Sequence, residues 1–331
     1  MIISRTPMRM SFVGGGSDLP AYYRHHGGGA VVSTAVNKYV YVTVNEKFDD
    51  AIRVSYSKTE EVSSVAEIQH KIVRETLFYL GIKGGVEITS VADIPSRGTG
   101  LGSSSSFTVG LLNALHAYKR HFAAAATLAE QACHIEIEVC GEPIGKQDQY
   151  AAAFGGLNFI QFNEDGTVFT NPIICQRETI ERMQSNILTF YTGITRSASG
   201  LLKTQGDNIK SDPKKAEAMK RMVKLAFEMR DSLQRNNLDG FGEALHENWE
   251  LKKSMADNVS SDHIEGWYDR ARKAGAVGGK LLGAGSGGFL MFYAPAEKHA
   301  AITAALSALR PVKFGFEPEG SKIIFIHKWG L

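Results

Sequence analysis

The sequence predicts an α+β protein of two domains. Three observations carry that reading. Short runs with period-two alternation fall in hairpin-like pairs, mixed with helices rather than alternating with them as in a doubly wound sheet. Longer stripes with helical spacing fill much of the second half. The chain has 331 residues, enough for about two domains and a sizeable core. The expected domains are residues 1–183 and 184–331.

Composition excludes several function classes. Net charge is +2, so no whole-protein field draws nucleic acid or an acidic membrane. Three cysteines, Cys133, Cys140 and Cys175, are too few and too irregular for a disulfide frame or a zinc site, which fits a reduced cytoplasm. No apolar stretch has the length of a signal peptide at the start or of a bilayer span anywhere. A cytoplasmic protein is expected, and a homo-oligomer stays open. The 34 glycines imply tight turns or close backbone approaches.

Residues 1–60 read as β structure. Val40, Val42 and Val44 alternate with Tyr39, Tyr41 and Thr43. Two glycine triplets, Gly14–Gly16 and Gly27–Gly29, interrupt this region, with Ser17-Asp18-Leu19-Pro20 between them. Asp18 is either a hydrogen-bond acceptor for sugar hydroxyls or a turn aspartate. Ser64-x-x-Glu67 predicts a capping box ahead of the stripe Ile68, Ile72, Thr76, Leu80. A strand is expected from Gly84 to Val91.

The loop that follows organises the chain. In Pro95-Ser-Arg-Gly-Thr-Gly-Leu-Gly-Ser-Ser-Ser-Ser, glycines 98, 100 and 102 flank Leu101 and give way to Ser103 to Ser106. An apolar helical stripe, Phe107, Leu111, Leu115, comes next. Glycines let backbone approach a phosphate, and the free N–H groups of a helix start favour anions. Serine hydroxyls can cap that helix, touch phosphate or ligate Mg²⁺. No lysine follows Gly102, so this is not the common phosphate loop.

A second helix is expected over about 124–138. It carries Glu136 and Glu138, two apart and so on different faces. The polar run Gly145-Lys146-Gln147-Asp148-Gln149-Tyr150 leads into small residues. Asp148 is either salt-bridged to Lys146 or a base held ionised by a nearby cation. Strands are expected at Gly156–Phe162 and Ile187–Tyr191. Asp212-Pro213 opens a helix with Met219, Val223, Phe227 and Met229 inward; Lys214, Lys215, Lys220 and Lys224 read as a solvated face. Helices run to about 273, then a glycine-rich segment, a strand, a helix over 296–308 and two terminal strands. The segment Gly283-Ala-Gly285-Ser-Gly287-Gly288 matches a dinucleotide fingerprint, but a strand follows it and not the helix such a fingerprint must open.

Three segments resemble the motifs of the small-molecule kinases named for galactokinase, homoserine kinase, mevalonate kinase and phosphomevalonate kinase. They are Thr6 to Asp18, Pro95 to Ser105 and Lys280 to Gly288, in the family's order along the chain. Phe12-Val-Gly-Gly-Gly-Ser-Asp-Leu-Pro, Gly145 to Gly156 and Tyr191 to Arg196 are similar to the heptose 7-phosphate kinases within that family, and fucokinase-type domains share much of the pattern. Gly15 stands where galactokinases have a sugar-binding glutamate, which puts galactose in doubt.

The resemblance implies a ribosomal-protein-S5-like N-terminal domain, a ferredoxin-like C-terminal domain, and ATP with Mg²⁺ as phosphoryl donor. It implies Asp148 as catalytic base with Arg9 beside it, and Ser104 and Glu136 on the metal. Gly98, Gly100, Leu101, Gly102, Ser103, Ser104 and Ser105 would hold ATP. Gly16, Ser17, Asp18 and Gly285 would hold the sugar. Arg24, Lys38 and Arg196 are candidates for the substrate's own phosphate. A nucleotide-sugar oxidoreductase and a non-catalytic ATP and sugar sensor are the competing readings.

Overall fold

Two sheets divide the chain, and the last strand belongs to the first of them. The computed structural model describes residues 1–94, 98–195 and 198–327. Its strands are β1 (Ile2–Val13), β2 (Gly29–Glu46), β3 (Ile52–Ser55), β4 (Thr59–Val62), β5 (Val86–Ala92), β6 (Leu157–Phe162), β7 (Val168–Pro172), β8 (Ile187–Tyr191), β9 (Gly278–Leu281), β10 (Phe289–Tyr293), β11 (Arg310–Pro311) and β12 (Lys322–Ile326). The larger sheet has the order β12-β1-β2-β5-β3-β4, with β6 and β7 attached through β2. The smaller sheet has the order β11-β8-β10-β9.

β2 is long enough to serve three neighbours. It pairs along β1, holds β6 with Gly29–Thr34 and β5 with Val40–Glu46. The alternation read from its sequence sets its faces. Val40, Val42 and Val44 are buried, while Tyr39, Tyr41 and Thr43 are partly exposed. All pairings are antiparallel except β3 with β5.

The helices are α1 (Pro20–Tyr23), α2 (Lys71–Tyr79), α3 (Ser103–Tyr118), α4 (Ala125–Cys133), α5 (Gln147–Phe154), α6 (Arg177–Ser185), α7 (Ala198–Ser211), α8 (Pro213–Gln234), α9 (Phe241–Lys253), α10 (Asp262–Lys273) and α11 (His299–Ala305). Helix α3 packs on β1 and β2 and buries Val109, Leu111, Leu112 and Leu115. Helix α8 crosses from the second half to pack on the same two strands. No helix among the described residues is long and apolar enough to cross a membrane.

Several sequence expectations change in detail. Ser64 bonds Glu67 at 2.7 Å, but this box closes only a 3₁₀ turn, Val65–Glu67; α2 starts later and is capped by His70. The helix expected to 138 ends as α at Cys133 and widens into a π turn, His134–Val139. The helix expected over 296–308 is a 3₁₀ turn followed by the short α11. Alternation around Val312, Phe314 and Phe316 gives no long strand. Only Arg310 and Pro311 pair with β8, and Phe316 makes an isolated bridge to Val36. Strand β9, inside the glycine-rich segment, carried no period-two signal because two of its four residues, Gly278 and Gly279, are glycine.

Candidate active site

The serine-rich loop and its helix start as the sequence suggests. Gly102 takes φ 73°, which favours glycine, and α3 begins at Ser103 without a side-chain cap. Its first N–H groups therefore stay available to an anion. The loop is braced by the far end of the chain. A Cβ on Gly100 would lie 2.3 Å from the carbonyl oxygen of Leu282, and one on Gly283 would lie 2.3 Å from the Cα of Gly100. The two glycine-rich segments touch backbone to backbone, which only glycine permits. Leu101 is fully buried behind the loop. Pro95, Ser96 and Arg97 lie outside the described residues.

Asp148 stands at the mouth of this loop. It lies in the first turn of α5, and its Oδ2 is 3.2 Å from where a Cβ of Gly102 would be. Arg9, projecting from β1, grips it with two hydrogen bonds: Nε donates to Oδ1 at 2.8 Å and Nη2 to Oδ2 at 2.9 Å. Nη1 of the same guanidinium donates to the Gly100 carbonyl at 2.5 Å. The Arg9 side chain is 5% exposed and that of Asp148 24%. The cation is sealed while the carboxylate still faces the cavity. Lys146, the other partner considered for Asp148, instead donates to the carbonyl of Gly166 at 2.7 Å.

The π turn sorts the two glutamates. Glu136 points inward and is buried; Glu138 is exposed and bonds His134 Nδ1 at 2.7 Å. Ser104 Oγ donates to Glu136 Oε1 at 3.1 Å, and Gln149 Nε2 to Oε2 at 2.6 Å. Burial pushes the Glu136 carboxyl up to about 7, against hydrogen bonds from Ser105, Gln149, Thr108 and Ser104. Among the described residues no group of three or more His, Cys, Asp and Glu could by itself cage a metal. A hydroxyl and a buried carboxylate are hard oxygen donors. They fit a divalent cation whose remaining ligands are phosphate and water.

Asp18 closes the opposite end. Its carboxylate accepts from Gly16 N at 3.1 Å, Gln147 N at 3.0 Å and Gln147 Nε2 at 3.1 Å. Burial raises its pKa, the backbone bond from Gln147 works against that, and the charge of Asp148 adds to it. One cavity of about 610 Å³ runs between these groups, lined by Arg9, Gly98, Gly100, Gly102, Ser103 to Ser105, Glu136, Asp148, Gly16, Asp18 and Gly285. Ser17 is not among them. Its Oγ donates to Ala30 O at 3.1 Å and accepts from Ala30 N at 3.0 Å, so it fixes the first glycine turn to β2.

Of the three cations considered for the substrate's phosphate, Arg24 sits over the Tyr23 ring at 5.9 Å and, like Lys38, does not line the cavity; Arg196 lies outside the described residues. The cavity's cation besides Arg9, among the described residues, is Lys252 on α9. It is buried, and its Nζ donates to the Gly283 carbonyl. Burial, with help from Arg9, lowers its pKa to about 8, against Asp18 and Asp148. Sequence reading missed Lys252. The available signal was its helical register: Asn248 and Lys252 are four apart, beside Leu245 and Trp249 on the buried face. Lys280, also buried, donates to the carbonyls of Ser11 at 2.9 Å and Phe12 at 3.1 Å and pins β9 to β1.

The family model described as GHMP kinases N terminal domain matches residues 63–156, and that described as GHMP kinases C terminal matches residues 229–310. The chain belongs to the GHMP kinases, the family named for the kinases set out above, and is an enzyme. It is similar to the D-glycero-alpha-D-manno-heptose 7-phosphate kinase of Campylobacter jejuni, with 29% identity over 97% of this chain and 98% of that one. It is 25% identical to the L-fucokinase/L-fucose-1-P guanylyltransferase of Bacteroides fragilis, over 89% of this chain and 34% of that longer protein. Among solved structures, a D-glycero-D-manno-heptose 1-phosphate kinase from Bacteroides thetaiotaomicron superposes with a TM-score of 0.81 at 25% identity, covering 99% of this chain and 100% of that one. A galactokinase from Lactococcus lactis, at 17% identity and TM-score 0.76 over 97% and 94% of the two chains, shares the fold.

Proposed function

We propose that this enzyme is an ATP-dependent sugar kinase that phosphorylates the C1 hydroxyl of D-glycero-D-manno-heptose 7-phosphate, giving the 1,7-bisphosphate and ADP. The observation that carries the reading is Asp148, gripped by Arg9, at the mouth of the glycine and serine loop. Phosphoryl transfer needs positioning and charge neutralisation more than covalent help from the protein. N–H groups of the loop and of the first turn of α3 would hold the triphosphate. Ser104 and Glu136 would hold a divalent cation, for which Mg²⁺ is the proposed occupant. When bound, that ion neutralises the β- and γ-phosphate oxygens.

Asp148 orients the acceptor hydroxyl and takes its proton as the new O–P bond forms and the bond to the ADP oxygen breaks. Arg9 holds the carboxylate in register with the loop through its bonds to both Asp148 oxygens and to the Gly100 carbonyl. Lys252 adds a second positive charge on the wall facing Asp18 and Asp148, where charge moves during transfer. Asp18 and its amide neighbours would grip the sugar.

The names of the two heptose kinases differ in which carbon already carries phosphate. An ATP-consumption assay with heptose 7-phosphate, heptose 1-phosphate, fucose, galactose and mannose resolves this. Heptose 7-phosphate is expected to give the highest kcat/KM, with phosphorus NMR placing the new group on C1. Preference for a free sugar would move the enzyme to the fucokinase-like reading. Failure to consume ATP with any of them would end the sugar-kinase proposal.

A further inference from the structure

The sugar end of the cavity holds two side-chain amides whose hydrogen bonding is incomplete. Gln205, on α7, is 1% exposed, and its Nε2 has no hydrogen-bond partner among the described residues. Gln147, on α5, has a buried Oε1 in the same condition. Both residues line the cavity. Burying an amide atom without a partner is unfavourable, and proteins do it seldom.

The two amides meet at one turn. A Cβ on Gly16, where φ is 100°, would lie 2.5 Å from Gln205 Nε2. The missing side chain is what gives the Gln205 amide its space. At the preceding residue, a Cβ on Gly15 would lie 3.8 Å from Gln147 Nε2 and 3.9 Å from its Oε1. The amides therefore flank consecutive residues, one reaching in from each half of the chain. Asp18 ties the turn to one of the amides, accepting from Gly16 N and from Gln147 N and Nε2.

We infer that Gln205 is a ligand for a ring hydroxyl of the substrate, and that Gln147 Oε1 takes a hydroxyl beside it. A donor and an acceptor presented at consecutive residues of one turn match a pair of neighbouring hydroxyls, each of which can give and take a hydrogen bond. A carboxamide turned over would present an acceptor in place of the donor, and Gln205 would still offer the sugar a polar atom that no protein group uses. Because Gln205 comes from α7 and Gln147 from α5, the sugar would join the two halves directly. This inference rests on the sugar-kinase reading.

The test is Gln205→Met, close in volume but without the amide, assayed with heptose 7-phosphate beside the sugar panel and thermal melts. The expected result is a rise of roughly tenfold in sugar KM, with the KM for ATP unchanged and a melting temperature equal to or above wild type. Removing a polar atom that lacks a partner should not weaken the apo fold. A matching set of monodeoxy heptose 7-phosphates locates the contact. One of them should bind more weakly to wild type and show no further loss in the variant. Gln205→Asn, which keeps the amide but shortens its reach, should fall between the two. Unchanged sugar KM in Gln205→Met, with wild type active on the panel, overturns the inference and leaves the kinase reading intact. A lowered melting temperature with unchanged sugar KM makes Gln205 a packing residue and overturns it equally. A wild type inactive on every sugar overturns both.

Discussion

The two ends of the cavity differ in how far the protein completes the side chains that line them; behind the lining, Gln149 Oε1 next to Glu136 also lacks a partner. At the transfer end the charged groups already have their partners. Arg9 spends its guanidinium on Asp148 and Gly100, and Glu136 is bonded by Ser104 and Gln149. At the end proposed for the sugar, Asp18 is satisfied, but Gln147 Oε1 and Gln205 Nε2 are not. The contrast teaches a division of labour. Geometry needed by every turnover is fixed in advance, where reorganisation would slow the reaction. Geometry needed to recognise one substrate is left for that substrate to complete, so a sugar lacking the right hydroxyl leaves an amide unpaired.

The largest effect should come from breaking the prearranged end. Asp148→Asn is expected to lower turnover by about 10²–10⁴-fold while ATP binding, measured by calorimetry, stays near wild type. Near-normal turnover would remove Asp148 from the chemistry and erase the contrast. Glu136→Gln keeps the hydrogen-bonding shape but not the charge. Its affinity for Mg²⁺ in the presence of ADP should fall by ~10–100-fold, with sugar binding untouched. An unchanged metal affinity would place the ion elsewhere.

The smallest effect is a pH limb. Lys252, with its pKa lowered to about 8, is charged below that pH and neutral above it. If its charge helps transfer, turnover should fall as pH rises past about 8, and Lys252→Arg should carry that fall to higher pH. Stability should move the other way. The folded pKa lies below the unfolded value, so the buried ammonium weakens the fold below about pH 8. That penalty should fade as pH rises from there toward 10.5. A flat rate profile across this range would confine Lys252 to bracing Gly283.

Much of the transfer end was legible because its chemistry is local in sequence. Glycines 98, 100 and 102 followed by serines announce an anion loop in a dozen residues, and the spacing of Glu136 from Glu138 already said that one could be buried. The sugar end was less readable. Gln205 sits in a polar helix where nothing in the sequence separates a buried amide from a solvated one, and packing of α7 on α1 and α8 hides it. Lys252 was lost inside Leu251-Lys252-Lys253, since two adjacent lysines look alike until the helix is rotated against a partner. In the later glycine segment only Gly285 was expected at the substrate, and the backbone approach of Gly283 to Gly100 and of Gly288 to Thr99 had no signal in the sequence. The α+β class followed from periodicity. The π turn and the short β9 did not, because both depend on contacts distant in the chain.

Strand β12 has a consequence for how the molecule is made. It pairs with β1, so Ile2 lies opposite Ile326 across the whole length of the chain. A ribosome delivers the first of these strands long before the second. The edge of β1 must wait unzipped while the intervening helices and the smaller sheet emerge, and the closing entropy of so long a loop falls on the final step of assembly. Replacing the β12 residues Ile324 and Ile326 by proline, which disrupts the pairing of β12 with β1, should therefore harm folding yield in cells more than it harms the chemistry of the molecules that do fold.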